Sequence, residues 1–140
     1  MSWDKELEEL RHREGLAEQM GGGDKVARQH SRGKMDARAR LAALVDPGSF
    51  REIGKIAGKA SYDEDGNLEH ILPAPFLFGK AEINGRPVVA TADDFTIRGG
   101  AADAGISRKM VQAEKMAHEL KLPIIRMIDG TGGGGSVKTL

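Results

Sequence analysis

The sequence contains no cysteine. That excludes a disulfide scaffold, a cysteine zinc site and thiol catalysis, and it leans towards an intracellular protein. Net charge is also missing: 21 basic residues balance 21 acidic ones. Without a field of one sign, the composition calls for neither a nucleic acid nor a membrane as partner. No apolar run approaches membrane-spanning length. The opening segment, MSWDKELEELRHREG, is acidic, mixed and hydrophilic, unlike a signal peptide. The histidines, at 12, 30, 70 and 118, show no metal-ligand spacing, and none pairs with a nucleophile. Glycine is in excess: 19 residues, where average usage gives about ten. They group at 21–23, 99–100 and 130–135. Grouped glycine marks backbone that approaches something closely. The 140 residues make one domain at most. A chain of this size buries roughly two-thirds of its unfolded surface around a single core.

Hydrophobic spacing predicts helices first. Residues 2–20 carry a thin apolar stripe of Trp3, Leu7, Leu10 and Leu16, ended by Gly21-Gly22-Gly23. Further helices are predicted over Lys25–Arg32 and Ala37–Val45, followed by the turn D46-P-G-S49. From Phe50 to Ala57 residues alternate as in a half-buried strand. Ser61 to Glu69 is polar, with Asp65-Gly66 as a turn tip. Pro75–Ile83 and Pro87–Ala92 flank Asn84-Gly85, a hairpin signal. A helix is predicted from Asp103, as its cap, to Lys121, with Ile106, Met110, Ala113, Ala117 and Leu120 on its apolar face. Ile124–Ile128 reads as a last strand.

The final strand, helix and strand form a βαβ unit with parallel strands. The loop Asp94–Asp103 and the loop Asp129–Ser136 then emerge at one carboxyl edge, where open α/β sheets bind ligands. Both are glycine-rich, so bare N–H groups face one crevice, suited to a phosphate or a developing oxyanion. The glycine run is no Walker A loop, because Ser136-Val137 separate Gly135 from Lys138. A flexible tail or linker is the competing reading. The basic segment Lys25–Arg40 reads as a solvated helix face or a phosphate site. Arg108 and Lys109 begin a helix that borders Gly99-Gly100 and are placed either to hold a ligand phosphate or as ordinary surface charges, like Lys115. Asp93-Asp94 fits a strand-end turn better than an acid/base pair. No side chain stands out as a base or nucleophile, so enzymatic chemistry here rests on backbone and a cofactor.

The stretch G21-G-G-D-K-V-A-R-Q-H-S-R-G-K-M-D-A-R-A-R-L-A-A-L-V-D-P-G-S-F50 resembles the opening of the carboxyltransferase (β) subunits of biotin-dependent acyl-CoA carboxylases, such as those for propionyl-CoA and methylcrotonyl-CoA. A second block agrees: I83-N-G-R-P-V-V-A, D94-F-T-I-R-G-G, a helix carrying Lys109, then L122-P-I-I and Asp129 before glycines. The resemblance runs from Met20 to Leu140. It implies an α/β, crotonase-like fold of ββα repeats, incomplete here and preceded by a helical arm. Residues 1–49 would form the arm, and 50–140 the first part of the carboxyltransferase domain.

The resemblance also implies the site. Gly99, Gly100, Ala101 and Ala102 would line the acyl-CoA site, with Arg108 and Lys109 near the CoA phosphates. Gly132 and Gly133 would hold the enolate oxygen through their backbone N–H groups. The family usually reads Asp-Ser-Gly-Gly-Ala where this chain has Asp129-Gly130-Thr131-Gly132-Gly133, which leaves the donor register open by a residue. The implied reaction moves a carboxyl group from carboxybiotin, carried by a partner subunit or domain, to the α carbon of an acyl-CoA. The biotin ureido nitrogen would take the α-proton, and backbone donors would stabilise the enolate. The implied partners are a biotin carboxyl carrier or biotin carboxylase subunit and, for a full-length subunit, further copies of itself, in the cytoplasm. Family members are several times longer, so an N-terminal portion of a subunit, inactive alone, is expected. An acyl-CoA-binding module, or a crotonase-like decarboxylase or hydratase without biotin, is the alternative.

Overall fold

The computed structural model of the protein describes residues 2–100 and 107–130. Three helices lead: α1 (Asp4–Glu18), α2 (Gly23–Ser31) and α3 (Ala37–Leu44). Strands β1 (Arg51–Glu52), β2 (Gly58–Tyr62), β3 (Leu68–Pro73), β4 (Phe76–Ile83) and β5 (Arg86–Asp93) follow, then α4 (Ser107–Leu120) and β6 (Ile124–Met127). One sheet has the order β1-β4-β5-β6, and β2 and β3 form a separate hairpin. β4 and β5 are antiparallel across Asn84-Gly85, both with positive φ as a type I′ turn demands. β5 and β6 are parallel, with Val89 opposite Ile124 and Ala92 opposite Met127. The βαβ unit is therefore present.

Side-chain alternation on β4 and β5 builds a core on each face of the sheet. Leu77, Ala81, Val88, Ala90 and Ala92 pack against Ala37, Leu41 and Val45 at α3. Phe76, Phe78 and Val89 pack against Ala113 and Ala117 of α4. From Val88 to Ala92 β5 is buried on both faces, and its sequence there is apolar except for Thr91. Each fully buried side chain of Phe78's kind contributes about 1.5–3 kcal/mol.

Several expectations are corrected. The strand expected over Phe50–Ala57 is two residues long. Gly54 takes a positive φ and the Ala57 N–H closes a turn onto its carbonyl, which ends the alternation. The polar segment around Asp65-Gly66 is indeed a turn, but it joins two unforeseen strands, β2 and β3. These strands are mostly exposed, so no hydrophobic period betrays them. Trp3, Leu7 and Leu10 of the α1 stripe are exposed; Ala17 and Met20 are buried instead. On α4, Leu120 is exposed, while Met116 joins the face with Met110, Ala113 and Ala117. Ile106 and the cap Asp103 lie outside the described residues.

Candidate functional site

The carboxyl ends of β5 and β6 lie side by side, and the loops leaving them touch. After Asp93 the chain makes a tight turn in which the N–H and Oγ1 of Thr96 donate to Oδ1 of Asp94, at 2.9 and 2.6 Å. Asp94 is fully buried, and burial pushes its carboxyl pKa up despite those two donors; among the described residues its Oδ2 has no partner. The pair Asp93-Asp94 thus serves the strand end. Ile97 anchors the turn in the core. Arg98, Gly99 and Gly100 then all adopt positive φ, and Gly100 passes so close to β6's exit that a Cβ there would overlap the Asp129 carbonyl. Opposite, the Asp129 N–H donates to Oδ2 of Asp93 at 3.2 Å.

The helical arm fastens this edge. Gln29 Nε2 donates to Asp129 Oδ2 at 3.3 Å, Lys34 Nζ reaches Oδ1 at 3.2 Å, and Arg40 stands 3.8 Å from Oδ2. Arg40 also donates to the Asp93 carbonyl. Lys34 sits 5.1 Å above the Phe95 ring. Gly21 donates to Thr96 Oγ1 at 3.0 Å and fits only because a Cβ would overlap the Thr96 carbonyl. Asp36 accepts from the Ala39 N–H at 2.9 Å as the N-cap of α3 and meets His30 at 2.8 Å. Burial alone would raise the Asp36 pKa, but these partners outweigh it and hold the carboxyl below its ordinary value.

The basic segment therefore divides. Lys34 and Arg40 pin Asp129, and Arg38 pairs with both oxygens of Glu52 at 2.8 and 3.1 Å. Lys25, Arg28 and Arg32, with Arg98, instead line a cleft of about 280 Å³ whose wall includes Phe95 and Gly99. Arg108 is exposed on the first turn of α4, as are His118 and Lys115 further along. Lys109 is half-buried, and a Cβ at Gly54 would meet its Cε in ordinary van der Waals contact at 3.5 Å. Burial pushes its ammonium down to about 8, Glu52 working against the shift and Arg38 with it. The structure thus brings Gly99 and Gly100 to the crevice with Arg108 and Lys109 on the following helix. Ala101, Ala102, Gly132 and Gly133 lie outside the described residues. The hub at Asp129 with Gln29, and the low Lys109 pKa, had no sequence signal, because both arise from neighbours distant in the chain. Among the described residues no acid or histidine cluster has the makings of a metal site, and no helix is long and apolar enough to cross a membrane.

Comparisons with known proteins give the family. A propionyl-CoA carboxylase carboxyltransferase subunit of Haloferax mediterranei is 33% identical over 133 residues, covering 94% of this chain and 26% of that protein. The α subunit of a methylmalonyl-CoA decarboxylase of Veillonella parvula is 34% identical, covering 89% of this chain and 25% of its own. A crystal structure of the transcarboxylase 12S subunit, a hexamer with methylmalonyl-coenzyme A and methylmalonic acid bound, superposes with a TM-score of 0.81 at 31% identity, over 99% of this chain and 27% of that one. The fold is thus α/β and crotonase-like, as in those carboxyltransferases. This chain spans about a quarter of the length of these relatives. The carboxyl transferase domain family matches residues 28–139, and the chain belongs to that family.

Proposed function

We propose that this chain forms the acyl-CoA side of a biotin-dependent carboxyltransferase, as the N-terminal part of the subunit. The carrying observation is the contact of two glycine loops at one carboxyl edge, Gly100 against Asp129-Gly130. Such an edge offers backbone donors without side chains in the way. In this reading Gly99, Gly100, Ala101 and Ala102 line the thioester, and the Gly132 and Gly133 N–H groups hold the enolate oxygen. One lost oxyanion donor of this kind costs ~3–4 kcal/mol of barrier. The fixed Asp129, held by Gln29, Lys34 and Arg40, sets where the second loop begins. Lys25, Arg28 and Arg32 supply the charge to hold the CoA phosphates from one side, and Arg108 from the other. Lys109, half-buried against Gly54, is the less available cation.

Biotin would supply the activated carboxyl group. As the resemblance implies, a second crotonase-like domain in the longer members of the family would hold the biotin carbonyl. Residues 1–49 act as an arm bracing the crotonase-like part, 50–140, through α3 and the Asp129 hub. A carrier subunit bearing biotin and further copies of the subunit complete the site, and the cysteine-free sequence fits the cytoplasm. A decarboxylase is the second reading, favoured by the Veillonella relative.

Calorimetric titration with propionyl-CoA tests the reading. Binding should be abolished by Gly100→Ala, whose Cβ displaces the Asp129 carbonyl. Absence of heat up to millimolar ligand would remove the acyl-CoA assignment. Carboxyl transfer from a biotinylated carrier, against loss of CO2 from methylmalonyl-CoA, separates the two readings.

A further inference from the structure

The cations around β1 outnumber the carboxylates available to them. Glu52 is nearly buried, and Arg38 occupies both of its oxygens. Glu18, the next acid, is bound by Lys55 at 2.8 Å. Lys109 comes in from α4 as a further cation beside the Arg38–Glu52 pair. It makes no hydrogen bond or ion pair with any of the described residues. Its stem passes beside Gly54, where a Cβ would stand in ordinary contact, 3.5 Å from Lys109 Cε. An ammonium desolvated without an anion is penalised, so Lys109 holds a larger share of neutral amine than an exposed lysine does. A neutral, half-buried amine that keeps some contact with solvent is a nucleophile.

We infer that Lys109 is an acylation site: an amine, set between Gly54 and the Arg38–Glu52 pair on the helix that follows the Gly99-Gly100 loop, which takes the acyl group of an acyl thioester. The choice of acyl-CoA as donor rests on the proposed function; the nucleophilic amine does not. In the step, the Nζ lone pair attacks the thioester carbonyl carbon. A C–N bond forms, the C–S bond breaks, and the thiolate leaves with the electron pair. The proton released from Nζ goes to that thiolate, so the products are an amide and a free thiol. The unpaired cation becomes a neutral amide, which the half-buried position accommodates at lower electrostatic cost. Among the described residues, the charged groups acting on Lys109 are Glu52, which favours its charge, and Arg38, which opposes it.

The charge state sets the expected selectivity. With its ammonium at about 8, Lys109 is about a tenth amine at pH 7. An ordinary lysine is about 0.03% amine at that pH, and a weaker base is also a weaker nucleophile, so a net advantage of about tenfold remains. The experiment incubates the chain with propionyl-CoA, and separately with the propionyl thioester of N-acetylcysteamine, which lacks the nucleotide. Peptide mass spectrometry then follows every lysine from pH 6.5 to 10. Lys109 should acylate about tenfold faster than the exposed Lys59 and Lys80 with either donor, and its rate should level off above pH 8 while theirs keeps rising. Lys55, held by Glu18 with its pKa raised, should be among the slowest. Lys109 labelled no faster than Lys59 by the truncated thioester, with the same pH slope, overturns the inference. Preference for Lys109 with the truncated thioester and no added gain from CoA upholds it and counts against the CoA-binding reading instead.

Discussion

Single residues show how a few ångströms decide chemistry. Lys109 was read as one of two phosphate cations from its place beside the glycine loop. Its position at the start of α4 was legible; its burial was not, because Gly54, Arg38 and Glu52 reach it from elsewhere in the chain. The low pKa has a sign that stability measurements read directly. Folding depresses a lysine here, so between pH 8 and 10.5 the unfolded chain binds more protons, and stability rises with pH across that window. Replacing Lys109 by Met should stabilise the protein at pH 7 by about 1–2 kcal/mol, less than full linkage because the group keeps solvent contact. Urea unfolding at pH 7 and pH 10 checks this: the variant's advantage should shrink at the higher pH. Gly100 is the opposite case, since its role was foreseen from composition alone. With φ of +72° and the Asp129 carbonyl behind it, Gly100→Ala should cost about 1–3 kcal/mol in urea unfolding.

Elements differ in how visibly the sequence writes them. The β4–β5 hairpin was legible because Asn84-Gly85 takes the two positive φ values its turn needs. β2 and β3 were hidden, because β2 is almost wholly exposed and β3 buries only Ile71 and Pro73, too few positions to read as an alternation. β1 was overdrawn for a related reason: apolar residues at 53 and 56 kept the alternation going while Gly54 turned the chain. What attaches β1 to the sheet is another glycine, Gly79, whose Cβ would overlap the Arg51 carbonyl. Gly79→Ala should detach β1 and cost about 1–3 kcal/mol, measured as a lower midpoint in urea. At α3, removing the cap by Asp36→Ala should cost about 1 kcal/mol at neutral pH. Because the Asp36 carboxyl is held below its ordinary 3.8, its charge contributes stability above that pH and loses it as pH falls further. The gap between wild type and Asp36→Ala, read by thermal unfolding, should therefore narrow below pH 4.

For the molecule as a whole, the arm and the sheet act together. The arm's cations do two jobs, some fixing Asp129 and others lining the cleft beside Gly99. If that cleft holds the CoA phosphates, Arg28→Ala should weaken propionyl-CoA binding about tenfold, roughly one charge-assisted hydrogen bond, while leaving the melting temperature unchanged. Titration at 0.05 and 0.5 M salt should show the wild-type affinity falling and the variant's falling less. By itself the sequence determined the three leading helices, the β4–β5 hairpin, the parallel βαβ unit and the family. Each of these is carried by local periodicity, turn chemistry or a continuous motif. Tertiary structure alone decided that α3 shares a core with β4 and β5, that Asp129 is gripped from residues 29, 34 and 40, and that Lys109 lies beside a carboxylate already taken. The physical reason is common to all three. Burial, desolvation and ion pairing depend on which groups meet in space, and a linear sequence does not specify the distance between residues a hundred positions apart.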